Sequence, residues 1–153
     1  MEKIDARKLI RMAPEEMAQF LESVMNAALA TLDRDGYPHL VAMSFARDAN
    51  GDIIMTSFGK AQKVLNLQRD PRAAVMVERG LAYDKLQGVM IRGRAEIVEG
   101  VDAVLAAMHQ VMRKQARLAG RSDLMEGGAI SESYRRQAAK QDGMFNNWHG
   151  KIT

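Results

Sequence analysis

The sequence predicts a mainly β fold with flanking helices, in which antiparallel strands form a small closed or partly closed barrel. Two tight-turn signals, Asp35-Gly36 and Asn50-Gly51, separate apolar runs of strand length, and glycine accepts the positive φ that such turns require. The spacing of apolar residues also changes from helical to strand-like at Ala27. Five or six short strands connected by hairpins are typical of small barrels.

A helix is predicted before the strands. Pro14 in a first turn, followed by Glu15 and Glu16, is typical of a helix N-terminus. The apolar residues that follow recur at helical spacing, at Met17, Phe20, Leu21 and Val24. We expect this helix to pack on the outside of the barrel with its apolar face inward.

Strands are predicted over most of the chain that follows. Residues 27–58 contain three strands, and residues 72–80 contain a fourth. A short helix over residues 60–69 separates them and stops before Pro71, because proline disfavours the helical conformation of the residue that precedes it. Residues 86–100 are expected to form a long fifth strand.

The end of the chain predicts helices and a closing strand. Residues 101–141 begin with an apolar stripe at helical spacing and continue into a second, polar helix, and residues 143–150 could supply a final short strand. We therefore expect one domain over residues 1–153, with a barrel core at about 24–100. The last turns of the apolar helix carry Arg113, Lys114 and Arg117, where cations suit the helix dipole.

Composition bounds the class of protein and its location. Apolar residues make up 47% of the chain and charged residues 27%, which is ordinary for a soluble globular protein. The chain has no cysteine, which excludes disulfides and thiol nucleophiles and is compatible with a reducing cytoplasm. No apolar run approaches the roughly 18 residues of a membrane span, and the N-terminus lacks the apolar region of a signal peptide. We expect a cytoplasmic protein with no membrane partner.

The titratable residues form no catalytic or metal-binding motif. The three histidines, His39, His109 and His149, lack the spacing of metal ligands, and the nucleophile motifs of hydrolases are absent. The sequence therefore predicts neither a metal site nor a catalytic side chain. The methionines in predicted strands are interpreted as core residues, at Met43, Met55, Met76 and Met90.

The charge balance is mildly basic. A net charge of +3 suits a small anionic ligand as well as nucleic acid. Aromatic residues make up only 5% of the chain, which leaves few for base stacking. Nucleic-acid binding therefore ranks last among the functions considered, and we expect no nucleic-acid partner.

The stretch after the third strand is the strongest candidate for a ligand site. Lys60 and Lys63 lie three residues apart, so they share a face at the start of the short helix, where lysine is unfavourable by itself. Ser57 and Gly59 precede them and could cap the helix or let the backbone approach a ligand. Together, the N–H groups, the dipole and two ammonium groups are typical of a phosphate site. A solvated basic face is the alternative interpretation.

Three segments with a particular order and spacing point to a family. They are ATLDRDGYPHL, the pattern K-x-x-N-L-x-R-D-P-R from Lys63 to Arg72, and GVMIRGRAEIV. Together they resemble the flavin and deazaflavin split-barrel oxidoreductases, the proteins related to pyridoxamine 5'-phosphate oxidase. The resemblance covers roughly residues 14–100, with a weaker match at NNWHGKI near the C-terminus.

The resemblance implies a six-stranded antiparallel split β-barrel that works as a homodimer. Members of this family bind FMN or the 8-hydroxy-5-deazaflavin coenzyme, coenzyme F-420, in a groove at the dimer interface. The cofactor-binding residues that it implies are His39, Val41, Ala42, Met43, Ser44, Met55, Thr56, Ser57, Lys60, Gln62, Lys63 and Trp148. Of these, the residues from Ser57 to Lys63 would meet the phosphate, and the second strand with its neighbours would line the ring. Trp148 would reach the site of the partner subunit.

Two stretches depart from the family pattern. The FMN oxidases carry Ser-Arg-Lys where this chain has Ala61-Gln62-Lys63, and Lys60 cannot copy the fork of a guanidinium. The closing W-D-H-x-K pattern is compressed here to W-H-G-K. The resemblance implies an oxidoreductase that transfers a hydride between the bound cofactor and a small-molecule acceptor. The alternative is a carrier or sensor that binds the cofactor without turnover, and FMN and deazaflavin both stay open.

Overall fold

A computed structural model describes residues 11–121 and, for the backbone alone, residues 146–152. The helices within this part are α1 (Pro14–Ser23), α2 (Gln62–Arg69) and α3 (Val101–Ala119), with a 3-10 turn at Tyr83–Lys85. The strands are β1 (Asn26–Leu32), β2 (Pro38–Ser44), β3 (Ala46–Arg47), β4 (Ile53–Ser57), β5 (Arg72–Arg79), β6 (Gln87–Glu99) and β7 (Asn146–Ile152). The second helix expected before residue 141 lies outside the described residues.

The described strands form one sheet in the order β2-β1-β5-β6-β7-β4-β3, and every neighbouring pair is antiparallel. This confirms the mainly β fold that the sequence predicts, with helices flanking the sheet. The expected count of six strands is not confirmed, because the described residues show seven strands, of which β3 has two residues. The additional strand arises within residues 27–58, where the sequence predicts three strands.

The two ends of this sheet are consecutive in the chain. β2 pairs with β1 up to Ser44, whereas β3, which starts at Ala46, pairs with β4. Phe45 between them is fully buried, and its N–H donates to the Met25 carbonyl oxygen at 3.3 Å. The strand therefore changes partners at Phe45. This change brings the edges of the sheet together at that corner and lets β2 and β4 diverge from it, which makes a barrel that is split along one side.

Apolar side chains from the sheet and from two helices fill the barrel. The strands contribute Leu29, Met55, Val77 and Ile91, and the helices α1 and α2 contribute Phe20, Leu21, Val64 and Leu67. Burying one such side chain is worth about 1.5–3 kcal/mol in transfer free energy. Helix α3 packs on the other side of the sheet, against β3, β4 and β6. No helix within the described residues is long and apolar enough to cross a membrane.

Both predicted hairpin turns are present. Gly36 and Gly51 have φ values of 83° and 87°, in the region that glycine tolerates. Aspartates three residues earlier hold the turns, because Asp33 Oδ1 accepts two backbone N–H groups at 2.9 and 2.8 Å. Asp48 Oδ1 does the same in the second turn at 2.8 and 2.9 Å. Side-chain acceptors thus replace the backbone bonds that a tight turn cannot form.

Two expectations about the strands and helices are wrong. Helix α2 begins at Gln62 rather than at residue 60, because a turn closed by a 3.0 Å bond from the Ala61 N–H to the Phe58 carbonyl precedes it. Met76 and Met90, interpreted as core residues, are 41% and 65% exposed. The register pairs these two methionines with each other on the outer face of the sheet. Met43 and Met55 do pack in the core.

Lys114 is buried in α3, although the sequence pattern groups it with cations that suit the helix dipole. It is 4% exposed, and its Nζ donates to the Leu21 carbonyl oxygen at 2.8 Å. The same nitrogen lies 3.4 Å from the centroid of the Phe45 ring. Loss of water lowers the pKa of Lys114 to about 8, while the carboxylate of Glu22 opposes this shift. Lys114 therefore ties α3 to the end of α1 and to the Phe45 corner.

We expect the stability of the protein to rise between about pH 8 and pH 10.5 because of Lys114. In this window the folded protein has released the Lys114 proton and the unfolded chain still holds it, so raising the pH favours the folded state. The gain in the free energy of unfolding is of the order of 2 kcal/mol. Urea unfolding at a series of pH values measures it.

Two variants show whether Lys114 causes this rise. Lys114→Met keeps an apolar side chain of similar length over Phe45 and should remove the rise, whereas Arg113→Met, which removes an exposed cation from the same helix, should keep it. A pH profile of Lys114→Met that runs parallel to the wild-type profile would contradict the assignment.

Candidate functional site

The candidate site begins where the chain leaves β4 and turns into α2. Ala61 occupies the N-cap position of α2, and no side chain caps the helix. The cap that the sequence suggested at Ser57 is not formed. The N–H groups of the first turn therefore lack the side-chain acceptor that usually satisfies them, and the positive end of the helix dipole faces outward. This is an arrangement that favours an anion.

Ser57 has a buried hydroxyl that no described residue satisfies. Its Oγ is shielded from solvent and has no hydrogen-bond partner within the described residues. The alternation along β4 places Ser57 on the same face as Ile53 and Met55, which are core residues. A buried polar atom without a partner costs about 1–3 kcal/mol, so its presence is typical of a position that binds a ligand.

Lys60 and Lys63 have different surroundings. Lys60 lies in the turn before α2 and is exposed, whereas Lys63 lies in the first turn of the helix and is half-buried. Burial lowers the pKa of Lys63. A partly desolvated ammonium interacts more strongly with an anion than an exposed one does. Lys63 is therefore the stronger candidate of the two for a phosphate contact.

The second strand presents two different faces, so only part of the predicted ring-binding stretch can meet one ligand. Val41 and Met43 point toward the core and pack against it. Ala42 and Ser44 are exposed on the outer face, where Leu40 is 64% exposed. The sequence cannot separate these sets, because the whole stretch is apolar or small. The Ser44 Oγ is already engaged as a donor to Asn26 Oδ1 at 3.0 Å.

The outer edge of β2 presents backbone donors to the split. β2 stands at one end of the sheet, so only one of its edges pairs with a described strand. The Asp33 N–H bonds to Tyr37 O and the Phe45 N–H bonds to Met25 O, which fixes the alternation of the ladder. Residues at even positions then turn their N–H and C=O groups away from β1. The N–H groups of Leu40, Ala42 and Ser44 face the open edge.

A polar pocket of about 710 Å³ brings two of the predicted residues together. His39 from β2 and Gln62 from α2 both line it, and the other lining residues are Asp33, Arg34, Asp35, Leu65, Gln68 and Arg69. The Nδ1 atom of His39 is buried and has no hydrogen-bond partner within the described residues. The pocket joins the β1–β2 hairpin to the first turn of α2, so an imidazole and an amide lie beside the uncapped helix.

The remaining predicted residues are less closely grouped. Met55 is 2% exposed in the core and offers little surface to a ring. Thr56 is half-buried on the opposite face of β4. Trp148 lies in β7, where its backbone stands opposite Met55 and Ile97. The contact of Trp148 with a partner subunit stays a prediction.

A buried hydrogen-bond network supports the site, and the sequence analysis assigned it no role. Asn66 is fully buried in α2, and its Nδ2 donates to Thr31 Oγ1 on β1 at 3.0 Å. Its Oδ1 accepts a bond from Gln62 Nε2 at 2.8 Å. Arg69 donates to the same Oδ1 at 3.3 Å and to the Leu32 carbonyl oxygen. The network holds α2 against β1 and fixes Gln62 at the mouth of the pocket.

The pattern K-x-x-N-L-x-R-D-P-R thus combines two roles. Asn66 and Arg69 dock the helix, and Asp70 pairs with Arg72 through Nε at 3.0 Å and Nη2 at 2.6 Å. Hydrogen bonds from Arg72 lower the pKa of Asp70 to about 2. Lys63 is the member of the pattern that faces a possible ligand. In the sequence, the only indication of the docking roles of Asn66 and Arg69 is their fixed spacing within this pattern.

The chemistry that this arrangement supports is the binding of an anionic group next to a planar molecule. Within residues 11–121, no group of three or more histidine, aspartate and glutamate residues could hold a metal ion. The uncapped helix, the Ser57 hydroxyl and Lys63 fit a phosphate ester, and the edge of β2 can donate to the polar rim of a planar molecule.

Comparisons with known proteins bear on this site. The family model described as pyridoxamine 5'-phosphate oxidase matches residues 13–141. The chain is similar to the conserved hypothetical protein Rv2991 from Mycobacterium tuberculosis, with 31% identity and a TM-score of 0.72. That match covers 97% of this chain and 83% of the other. A search of curated proteins gave no significant match.

Two more distant solved structures share the fold. An F420 reductase is 24% identical with a TM-score of 0.60, and the match covers 92% of this chain and 96% of the reductase. HutZ, a heme storage protein from Vibrio cholerae, is 17% identical with a TM-score of 0.62, and the match covers 94% of this chain and 92% of HutZ. The same fold is thus found in proteins with different ligands.

We expect Asn66→Ala to destabilise the protein by about 2–3 kcal/mol, because it removes a buried hydrogen-bond partner of Thr31 and Gln62. Gln68→Ala, at an exposed position of the same helix, should change the stability by less than about 0.5 kcal/mol. Urea unfolding at neutral pH measures both. Equal stabilities of the two variants would mean that the network does not hold α2.

Proposed function

The chain belongs to the pyridoxamine 5'-phosphate oxidase family, and from this membership we propose that it is an oxidoreductase that binds FMN or coenzyme F-420. It passes a hydride between the cofactor and a small organic acceptor. The observation that carries the proposal is the turn from β4 into α2, which has an uncapped helix start, a buried unpaired Ser57 hydroxyl before it and a partly desolvated Lys63 after it. Each of these features costs stability unless an anion binds.

The phosphate of the cofactor binds at this helix start. Ser57 Oγ donates one hydrogen bond, the N–H groups of the first turn donate others, and the Lys63 ammonium supplies the charge. Lys60 is exposed and contributes a weaker, more strongly screened attraction. His39 and Gln62 lie in the adjacent pocket and contact the part of the cofactor next to the phosphate.

The choice between the two cofactors depends on the phosphate contacts. Gln62 occupies the position at which FMN oxidases carry an arginine, so one charged contact to an FMN phosphate is replaced by a neutral amide. A neutral amide can still donate a hydrogen bond to a phosphodiester, which carries less charge than the terminal phosphate of FMN. An F420 reductase and a heme storage protein both share this fold, so the fold by itself does not select the cofactor.

The ring lies along the open edge of β2. Backbone N–H groups of Leu40, Ala42 and Ser44 face this edge and donate to the polar rim of the ring. The flavin or deazaflavin, when bound, supplies the hydride chemistry. The residues of this chain bind and orient the ring and keep water from its inner face, and none of them needs to act as a nucleophile. This accounts for the lack of a catalytic motif in the sequence.

A second copy of the chain completes the site. The outer face of β2, β1, β5 and β6 has an uncovered apolar region, with Leu40, Met76 and Met90 exposed at 64%, 41% and 65%, and three arginines of β5 and β6 border it. Alanines at positions 28, 30, 42 and 74 lie between them and make this face flat. A flat apolar face of this kind suits association with an identical face. In the resulting homodimer, the ring lies at the interface and the partner subunit supplies Trp148.

Cofactor titration tests the proposal directly. FMN, coenzyme F-420 and hemin are titrated side by side and followed by absorbance and fluorescence, and we expect binding of FMN or F-420 at micromolar concentrations or below. Reduction of quinones, enones and nitroaromatics by the loaded protein then separates an enzyme from a carrier. A protein that binds only hemin, or none of the three, would refute the proposal. Binding without turnover would favour the carrier or sensor.

Ser57→Ala should have opposite effects on cofactor binding and on stability. It removes a hydrogen bond to the phosphate, so the cofactor should bind about five- to tenfold more weakly. It also removes a buried unpaired hydroxyl, so the cofactor-free protein should become more stable by about 1 kcal/mol. Lys63→Ala should weaken binding by about 1–3 kcal/mol with little change in the stability of the free protein.

Lys60→Ala serves as the matched control, because it removes an exposed lysine from the same stretch and should weaken binding less than Lys63→Ala does. Ser57→Ala that destabilises the free protein would show that its hydroxyl has a structural partner. Equal losses for the two lysine variants would place the phosphate elsewhere along the turn.

The dimer is tested by placing a charge on the apolar face. Met90→Glu should shift the protein from dimer to monomer in sedimentation experiments and weaken cofactor binding, because the site would be incomplete. Leu118→Glu, a similar change at a partly exposed position on α3, should leave the dimer intact. A wild-type protein that sediments as a monomer at working concentration would remove this part of the proposal.

A further inference from the structure

A second pocket lies at the end of α3, on the side of the sheet that this helix covers. It has a volume of about 510 Å³ and is formed by the end of α1, by β3 and by the last turns of α3. None of its described lining residues belongs to β1, β2, β5 or β6, the strands whose outer face is proposed to meet a second copy of the chain. It also shares no lining residue with the polar pocket of His39 and Gln62. We call it the Lys114 pocket.

Positive charge dominates the walls of the Lys114 pocket. Its described charged residues are five cations and one acid, namely Arg47, Arg113, Lys114, Arg117, Arg121 and Glu22. The acid is already engaged, because Glu22 Oε2 accepts a hydrogen bond from Arg117 Nη2 at 2.8 Å. Within the described residues, Arg113 forms neither a hydrogen bond nor an ion pair, and Arg47 donates to the Gly51 carbonyl oxygen at 3.4 Å. The pocket therefore holds cations that no described acid pairs with.

Lys114 is the buried member of this group, with 4% of its surface exposed. Its ammonium lies 2.8 Å from a backbone carbonyl oxygen and 3.4 Å from the centroid of an aromatic ring, and neither partner has a net negative charge. Loss of water, followed by repulsion from Arg117 and Arg47, lowers the pKa of Lys114, while Glu22 opposes this shift. An anion in the pocket would offset the burial of the ammonium and the repulsion between the cations.

The dipole of α3 explains only part of this cluster. Cations in the last turns of a helix interact favourably with its C-terminal carbonyl groups, which accounts for Arg113 and Arg117. Arg47 comes from β3, however, and Lys114 donates to a carbonyl oxygen of α1 rather than to its own helix. Backbone N–H groups that follow the helix already satisfy two of its last carbonyl oxygens. Cations from two elements thus converge on one cavity for a reason other than the dipole.

We propose that the Lys114 pocket binds a phosphate group, which belongs either to free phosphate or to a small phosphate ester. Arg47 and Arg113 donate to the phosphate oxygens, because a guanidinium fits a phosphate through paired N–H groups. Lys114 adds positive charge from the pocket wall, where the low polarity of the surroundings strengthens the attraction. Ala46 and Ala116 also line the pocket, and their small side chains leave room for the body of an ester.

Calorimetric titration with inorganic phosphate and with glycerol 3-phosphate at neutral pH and low salt tests the proposal. Lys63→Ala serves as the background, because it weakens the proposed phosphate contact at α2. We expect both phosphates to bind about tenfold or more tightly than acetate, and Arg47→Gln/Arg113→Gln to weaken their binding about tenfold. The control Arg11→Gln/Lys85→Gln removes the same charge at exposed positions elsewhere and should leave binding unchanged. Preference for one of the two phosphates supports the pocket and identifies the source of the phosphate group.

The pH profile of stability provides a second measurement, which needs no substitution in the pocket. Lys114 raises the stability between about pH 8 and pH 10.5, because the folded protein releases the Lys114 proton first. A bound phosphate dianion favours the charged ammonium and should shift the start of this rise to higher pH. The charged groups that act on Lys114 are Glu22 from α1, Arg47 from β3 and Arg117 from α3. Carboxylates and guanidinium groups ordinarily do not titrate in this range, so the shift reports on Lys114.

Three results would overturn the proposal. Equal losses in the two double variants would show that net charge alone attracts phosphate. A pH profile that phosphate leaves unchanged would place the anion away from Lys114. The absence of phosphate binding to Lys63→Ala at millimolar concentration would refute the pocket outright. Loss of binding in Arg47→Gln/Arg113→Gln together with the shifted pH profile supports it, whatever the outcome for FMN or F-420.

Discussion

The change of strand partner at Phe45 is the constraint on which the rest of the fold depends. A single strand could have continued from Pro38 to Arg47 along one neighbour, and the sheet would then have had two distant edges. Burial of the Phe45 ring at the corner, under the Lys114 ammonium, instead directs β3 onto β4. The sheet closes at this corner and opens away from it. The split and the free edge of β2 both follow from that geometry.

The polar groups near the split are of two kinds. Those with hydrogen-bond partners hold the fold together, and those without partners are the candidates for ligand binding. Thr31, Asn66 and Arg69 have partners, and they fix α2 against β1. Ser57 and His39 hold buried polar atoms without a described partner, and the helix between them has no cap. Proteins retain unsatisfied groups where a ligand completes them.

Much of the fold could be predicted from local sequence, because turns and helix starts are local. Gly36, Gly51 and Pro14 mark the two hairpins and α1 where the structure has them. It was harder to predict which face of each strand is buried. Met76 and Met90 look like core residues because they are apolar, and only the sheet order shows that their face is uncovered. Lys114 is a similar case, since burial of a lysine depends on a carbonyl and an aromatic ring from distant parts of the chain.

By itself, the sequence determined the mainly β class, the turns, the family and the basic stretch after β4, since each depends on residues close together in the chain or on a fixed spacing. The tertiary structure decided which residues of that stretch are placed to bind an anionic ligand. It buried the Ser57 hydroxyl, separated Lys63 from Lys60 by exposure, and divided β2 into a core face and an open edge. It also placed Arg72 opposite Arg94 in the register of β5 and β6. The physical reason is the same in each case, because solvent exposure and strand register are set by contacts between distant segments.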